Sequence, residues 1–183
     1  DGSLTARFDD HETMHSLRGA FSETAYIYGT AFERVATLTP PRVLSLGLGL
    51  GYVEILTTAL AIKGGFKPQG ISYELVEPLR DSFLGWLGDR PEVLIPHSLY
   101  DDVLKRTSDL TSVEDREIRT ALAEAIRRED WIITTALTPS TTFAQKYNCV
   151  AFDAFSSKST PELWSREFLD PFLRDACDTP CVL

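Results

Sequence analysis

The chain has 183 residues, of which 43% are hydrophobic, and this is typical of one globular domain with a substantial core. The formal net charge is −9 at pH 7, which argues against a broadly basic surface for nucleic acid. No apolar stretch reaches the roughly 20 residues that cross a bilayer, and the first residues lack a signal-peptide pattern, so a cytoplasmic protein is expected.

The residue types that usually bind metals are sparse in this chain. The three cysteines show no CxxC spacing, and the three histidines are too scattered to suggest a zinc site. We therefore expect free thiols and no structural metal.

The first half of the chain predicts a strand, a glycine-rich turn and a helix in direct succession. Residues 42–46 form a short β-type run, which follows two prolines and leads into the turn at residues 47–51. Apolar residues recur near helical spacing from Tyr52 to Ile62, and Gly64-Gly65 ends that pattern as C-cap glycines do.

Further strands and helices alternate after this unit. A second strand is predicted at residues 71–76 and a second helix at 78–87. A charged, mostly helical region follows between Pro91 and Asp130, with one amphipathic helix at 113–128. A third strand is predicted at 131–135.

The last part of the chain continues the alternation. A fourth strand is predicted at residues 148–152, an amphipathic helix at 162–177, and the first residues of a fifth strand at 181–183. Such a series predicts an α/β, Rossmann-like fold with a mostly parallel sheet and helices on both faces. Residues 1–40 read as an N-terminal extension and residues 41–183 as the core. Because the pattern stops inside a strand, we expect a domain truncated at its C-terminus.

The glycine turn is the first candidate site. Gly47, Gly49 and Gly51 allow unusual backbone angles, and the helix that follows offers free N–H groups to a nucleotide-like cofactor. The GxGxG spacing differs from the GxGxxG of dinucleotide sites, so it favours S-adenosylmethionine over a nicotinamide cofactor. The alternative is a tight turn with a purely structural role.

An acidic residue at the end of the next strand completes this candidate site. Such a carboxylate accepts hydrogen bonds from ribose hydroxyls, and both Glu74 and Glu77 fall in the expected region. Strand alternation places Glu74 on the same side as Ser72, so Glu74 is preferred and Glu77 is held in reserve.

A second candidate site follows the fourth predicted strand, at the edge of the sheet where ligands bind in open α/β folds. Asp153 is positioned to bind an amino group or to accept its proton, and Phe155 to form a wall of the acceptor pocket. The alternative is that Asp153 caps a turn. Thr160 is predicted to cap the next helix, with Pro161 at its first position.

Motifs across nearly the whole chain resemble the methyltransferase domain of the MnmC-like enzymes of bacterial tRNA 5-methylaminomethyl-2-thiouridine biosynthesis. The DGS-x-T and YHS-x-x-GA-x-x-E signatures of that family are similar to residues 1–5 and 15–23. Its GFGTG turn and SFE strand end look like residues 47–51 and 72–74. Its motif DxFxPxxNPxxW looks like residues 153–164.

The resemblance implies methyl transfer from S-adenosylmethionine to the exocyclic amine of 5-aminomethyl-2-thiouridine at the tRNA wobble position. It adds His15 and Glu23 to the cofactor-binding residues, and Lys158 and Trp164 to the substrate-binding residues. The implied partners are tRNA and a separate FAD-dependent oxidoreductase, since the oxidoreductase half of the bifunctional enzymes is absent here.

The chain differs from the family pattern at several positions. Val53 stands where the family often has asparagine, Ser157 replaces a proline and Thr160 replaces an asparagine. Residues 135–138 lack the Gly-Asp that would hold the adenine amino group. An alternative function therefore stays open, in which the domain is a non-catalytic or substrate-altered Rossmann-like binding or interaction protein.

Overall fold

The structure is a computed structural model that describes residues 1–3, 7–8, 12–13, 19–138, 141–153 and 161–182. The described strands are β1 (Arg7–Phe8), β2 (Glu12–Thr13), β3 (Val43–Leu46), β4 (Gly70–Tyr73), β5 (Trp131–Thr134), β6 (Tyr147–Phe152) and β7 (Cys177–Val182). The described helices are α1 (Ala20–Thr24), α2 (Thr30–Ala36), α3 (Tyr52–Gly64), α4 (Glu77–Leu87), α5 (His97–Thr111), α6 (Asp115–Arg127) and α7 (Arg166–Ala176). A π-helical turn at Ala25–Gly29 joins α1 to α2, and a 3-10 turn at Pro161–Trp164 precedes α7.

Five strands form one parallel sheet in the order β5-β4-β3-β6-β7, while β1 and β2 pair separately as an antiparallel hairpin. Leu46 at the end of β3 pairs with Tyr73 of β4 and with Phe152 of β6. Three carboxyl ends therefore meet at one edge. The strand order reverses at β3, which is the position where open α/β sheets bind ligands. The expected α/β class with a parallel, Rossmann-like sheet is confirmed.

The central strands are covered on both faces. Successive strand residues point to opposite faces, so Leu44 and Leu46 face the layer containing α7, whereas Val43 faces the layer that includes α3 to α6. All four residues of β3 are buried, and such strands read as continuous apolar runs. This burial explains why the run before the glycine turn shows no alternation.

Two predicted element boundaries in the middle of the chain differ from those in the structure. β4 ends at Tyr73, before the predicted end at Val76, because the Glu74 carboxyl accepts a hydrogen bond from Val76 N and turns the chain. The amphipathic helix predicted from Val113 begins at Asp115. A separate helix, α5, precedes it and ends at Thr111, and its C-cap residue Ser112 has a left-handed backbone with φ of 62°.

The predicted helix at residues 162–177 is two elements. Ser165 accepts a hydrogen bond from Phe168 N and so caps a new helix, which separates α7 from the 3-10 turn before it. The prediction that β7 starts at Cys181 is also wrong. α7 ends at Ala176, and extended backbone at Cys177 starts the strand, which pairs in parallel with β6. Thr160, the predicted cap, lies outside the described residues.

Candidate functional site

The glycine-rich turn connects β3 to α3 at the carboxyl edge of the sheet. Gly47, Gly49 and Gly51 have φ angles of 94°, 51° and 71°, in the region that side chains disfavour. Gly51 is also a close packing position, because a Cβ there would lie 2.2 Å from the Phe83 ring. The backbone conformation therefore requires glycine at these positions, and the turn ends where α3 offers its first N–H groups.

The Glu74 carboxyl lies against this turn. Gly49 N donates to Glu74 Oε2 over 3.1 Å, and Val76 N donates to Oε1 over 2.9 Å. The residue is 2% exposed. Burial raises the pKa of the Glu74 carboxyl, and the backbone hydrogen bonds oppose that rise. A carboxylate oxygen accepts more than one hydrogen bond, so Glu74 can hold the turn and still accept a ribose hydroxyl.

Glu77, the reserve residue, is placed differently. It begins α4 with its side chain 69% exposed and forms an ion pair with Arg80 over 3.1 Å. Its carboxyl therefore faces solvent and a basic neighbour, while the carboxyl that contacts the glycine turn is that of Glu74.

A small cavity opens beside the turn. It encloses about 20 Å³ and is lined by Leu46, Gly47, Tyr73, Glu74, Leu75, Leu137 and Leu163. Ligand pockets usually measure several hundred Å³. A nucleoside would therefore fit here only after some of the lining side chains move apart.

Asp153 lies at the end of β6, where its backbone N donates to Leu46 O over 2.9 Å. The residue is half-buried. The charge of Asp153 affects Tyr28, which lies in the π-helical turn. Burial raises the pKa of the Tyr28 phenol, and the charges of Asp153 and Glu23 raise that pKa further. The fold thus brings the predicted residues Asp153 and Glu23 into the electrostatic environment of one phenol.

Tyr28 is a site residue that sequence reasoning missed. The available signal was the run Tyr26-Ile27-Tyr28-Gly29 just after Glu23. A π-helical turn there is not visible in hydrophobic periodicity, although such turns occur often at functional sites.

The N-terminal residues of the DGS segment cap α1. Asp1 accepts hydrogen bonds from Ser22 N over 2.6 Å and from Ser3 N over 2.8 Å. Ser3 Oγ in turn accepts from Phe21 N over 3.0 Å. The first N–H groups of a helix lack intrahelical partners, so these contacts give the segment a structural role. Arg106 of α5 holds it from the other side by donating to the backbone carbonyl of Asp1 over 3.2 Å.

Trp164 lies in the 3-10 turn before α7 and packs on the end of β6. Its ring meets the ring of Phe152 edge to face, with centroids 5.0 Å apart, and the residue is partly exposed. It therefore packs on the last residue of β6, which directly precedes Asp153 in the chain. The other predicted site residues, His15, Phe155 and Lys158, lie outside the described residues.

A second buried acid, Glu54, was not anticipated from the sequence. It lies in the first turn of α3 with no exposed surface, and Ser72 Oγ donates to its Oε1 over 2.7 Å. Trp131 Nε1 donates to Ser72 Oγ over 2.9 Å. Glu54 Oε2 has no hydrogen-bond partner among the described residues. Burial raises the pKa of the Glu54 carboxyl to about 7, and the charge of Glu74 contributes to the rise.

The edge of the sheet therefore combines a glycine turn with positive φ angles, a buried carboxyl at that turn, and a second carboxyl whose charge affects a phenol. In the part of the chain that the structure describes, no group of three or more histidine, cysteine or acidic side chains is arranged to hold a metal ion. Within the same residues, no helix is long and apolar enough to cross a membrane. No protein-family model, no curated protein and no solved structure matches the chain.

Proposed function

We propose that the chain is an S-adenosylmethionine-dependent methyltransferase that N-methylates the aminomethyl group of 5-aminomethyl-2-thiouridine at the tRNA wobble position. The observation that carries the proposal is the hydrogen bond from Gly49 N to Glu74 Oε2 at the point where the strand order reverses. It joins a glycine turn to an acid at the place where α/β sheets bind nucleotide cofactors.

The chain's own residues supply the chemistry that such a cofactor needs. Gly47, Gly49 and Gly51 let the backbone approach the ligand, and Glu74 accepts hydrogen bonds from its ribose. His15 and Glu23 complete the proposed cofactor-binding set. When bound, the cofactor supplies a methyl group already activated on a sulfonium. The donor set fits this group, and space for it requires the movement of some of the side chains that line the cavity.

The acceptor side of the site must orient an amine and take up a proton. Asp153 is suited to both tasks, because a carboxylate accepts hydrogen bonds from an amine and is a base for the proton that it loses. The Tyr28 phenol is protonated at neutral pH, and burial and the charges of Asp153 and Glu23 raise its pKa further, so we expect its hydroxyl to serve as a donor near Asp153. Trp164, with the proposed Phe155 and Lys158, would contact the nucleoside.

tRNA is the proposed macromolecular partner, with a separate FAD-dependent oxidoreductase as a second one. Because the chain carries a net charge of −9, we expect tRNA to be held by local contacts and not by a broad basic field. The affinity for tRNA should therefore be modest.

Isothermal titration with S-adenosylmethionine and S-adenosylhomocysteine tests the cofactor site. We expect the wild-type chain to bind both, and Glu74→Gln to weaken binding by about tenfold, because a charged hydrogen-bond acceptor for the ribose is lost. Glu77→Gln is the matched control and should bind like wild type. No binding of either compound to the wild-type chain would refute the proposal.

A second candidate function is a non-catalytic, Rossmann-like binding or interaction protein. The observation that favours it is the cavity of about 20 Å³ beside a turn whose glycines are explained by positive φ angles and close packing. Mass spectrometry of wobble uridines distinguishes the two. Loss of only the final methyl group in cells lacking the protein supports the methyltransferase, and an unchanged profile supports the binding protein.

A further inference from the structure

The edge strand β7 contains an irregularity that brings two cysteines together. Between two paired positions, β6 advances two residues, from Tyr147 to Cys149, while β7 advances five, from Cys177 to Val182. Two strand residues span about 7 Å, so the ends of this β7 segment are separated by about that distance. The surplus residues form a bulge, and Cys181 directly precedes its far end. Cys177 and Cys181 therefore lie at the base of one bulge.

The two thiols also lie on the same side of the sheet. Both side chains pack against the hydrophobic cluster that includes Phe168 and Phe172 of α7. Both are free and partly exposed. The two thiols are close enough that each one affects the pKa of the other. A disulfide requires Cα atoms within roughly 4.4–6.8 Å and side chains that point toward each other, and we expect the base of the bulge to allow this approach.

The surroundings of the two thiols differ. Burial raises the pKa of both, but the positive charge of Lys146 opposes the rise at Cys177. At Cys181, the neighbouring thiol and Asp178 add to the effect of burial and raise the pKa to about 12. Cys177 is therefore the thiol that ionises first and the better nucleophile of the pair.

We propose that Cys177 and Cys181 are a modification site at which a low-molecular-weight disulfide, such as oxidised glutathione, produces a reversible intramolecular disulfide. The Cys177 thiolate attacks one sulfur of oxidised glutathione, breaks its S–S bond and releases one glutathione thiolate. Cys181 loses its proton to solvent and attacks the Cys177 sulfur of the mixed disulfide, which releases the second glutathione. The protein is oxidised by two electrons, and the glutathione disulfide is reduced to two thiols.

This bulge is connected to the central strand. Its Asp178 carboxylate forms an ion pair with Arg42, the residue directly before β3. Arg42 N donates to Asn148 Oδ1 over 2.7 Å, which ties the same residue to β6. A disulfide at the base of the bulge would fix the loop that carries Asp178. Cys149 is almost completely buried and should stay reduced.

The test equilibrates the folded chain with defined ratios of reduced and oxidised glutathione, followed by acid quenching and intact-mass and peptide mass spectrometry. We expect a mass loss of two hydrogen atoms that maps to Cys177 and Cys181. The effective concentration of one thiol at the other should be at least about tenfold higher in the folded chain than in urea, because the fold holds the two thiols together.

Three cysteine variants show which thiols form the disulfide. Cys177→Ser and Cys181→Ser should each stop at a mixed disulfide with glutathione, whereas Cys149→Ala should still form the internal disulfide. Three results would overturn the inference: only glutathione adducts in the wild-type chain, a disulfide that contains Cys149 or joins two chains, or an effective concentration no higher than in urea.

Discussion

Replacing Glu54 with glutamine removes an ionisable group from a fully buried position in α3. Glutamine keeps the shape of the side chain and an oxygen to accept the hydrogen bond from Ser72 Oγ. Its amide nitrogen takes the place of Oε2, which has no partner among the described residues, and lies near Ser45 Oγ. The substitution therefore changes the charge of the site while changing its packing little.

The magnitude follows from the pKa. The pKa of Glu54 rises from 4.5 to about 7 on folding, which corresponds to about 3 kcal/mol. Below pH 4.5 the carboxyl is protonated in both states and carries no penalty. As the pH rises from 4.5 to about 7, the unfolded chain releases its proton first, so this group lowers the free energy of unfolding. Above pH 7 the penalty is constant.

Urea unfolding followed by circular dichroism between pH 5 and pH 8 measures this effect. The gain in stability from Glu54→Gln should be larger at pH 8 than at pH 5, by about 2 to 3 kcal/mol. Glu77→Gln, at an exposed position on α4, is the control and should follow the wild-type profile. Parallel profiles for wild type and Glu54→Gln would show that the reasoning about the buried carboxyl is wrong.

Three further substitutions test the turn, the proposed acceptor site and the α7 cap. Gly51→Ala should lower the free energy of unfolding by about 2 kcal/mol or more, because the new Cβ meets the Phe83 ring. Gly65 has a similar φ with open space around it, so Gly65→Ala should lower the free energy of unfolding by only about 1 kcal/mol. Asp153→Asn should lower the single-turnover rate of methyl transfer to tRNA by about a hundredfold and leave cofactor affinity in titration unchanged; an unchanged rate would remove Asp153 from the proposed chemistry. Ser165→Ala should lower the urea midpoint by an amount that corresponds to about 1 kcal/mol, since α7 loses its N-cap, and no change would contradict that role.

The glycine turn and its acid show how much of the site is predictable from sequence. An apolar run, three spaced glycines and a helix pattern determine local backbone conformation, so β3, the turn and α3 follow in the expected order. Glu74 was preferred over Glu77 by strand alternation, and Glu74 is the residue whose carboxyl contacts the turn. Their ligand stays a prediction, because the same local features also satisfy a structural turn.

Other features depend on contacts between distant segments. In the sequence, Glu54 looks like an acidic residue that stabilises the start of a helix. It is nevertheless buried, because neighbouring elements enclose α3 almost completely. The charge of Asp153 affects the Tyr28 phenol, and Tyr28 lies in a π-helical turn that residue spacing does not indicate. The start of β7 was misplaced because helix α7 and the strand meet at Ala176 and Cys177 without a glycine or proline between them.

The sequence by itself determined the alternation of strands and helices from β3 onward, the parallel α/β class and the position of the glycine turn. Each of these depends on residue types and spacing within a few turns of chain. Only the tertiary structure decided that Glu54 is buried without a charge partner, that Tyr28 and Asp153 share one electrostatic environment, and that two cysteines share a bulge. Burial and register are properties of the packed sheet, since they depend on residues that are remote in the chain and adjacent in space.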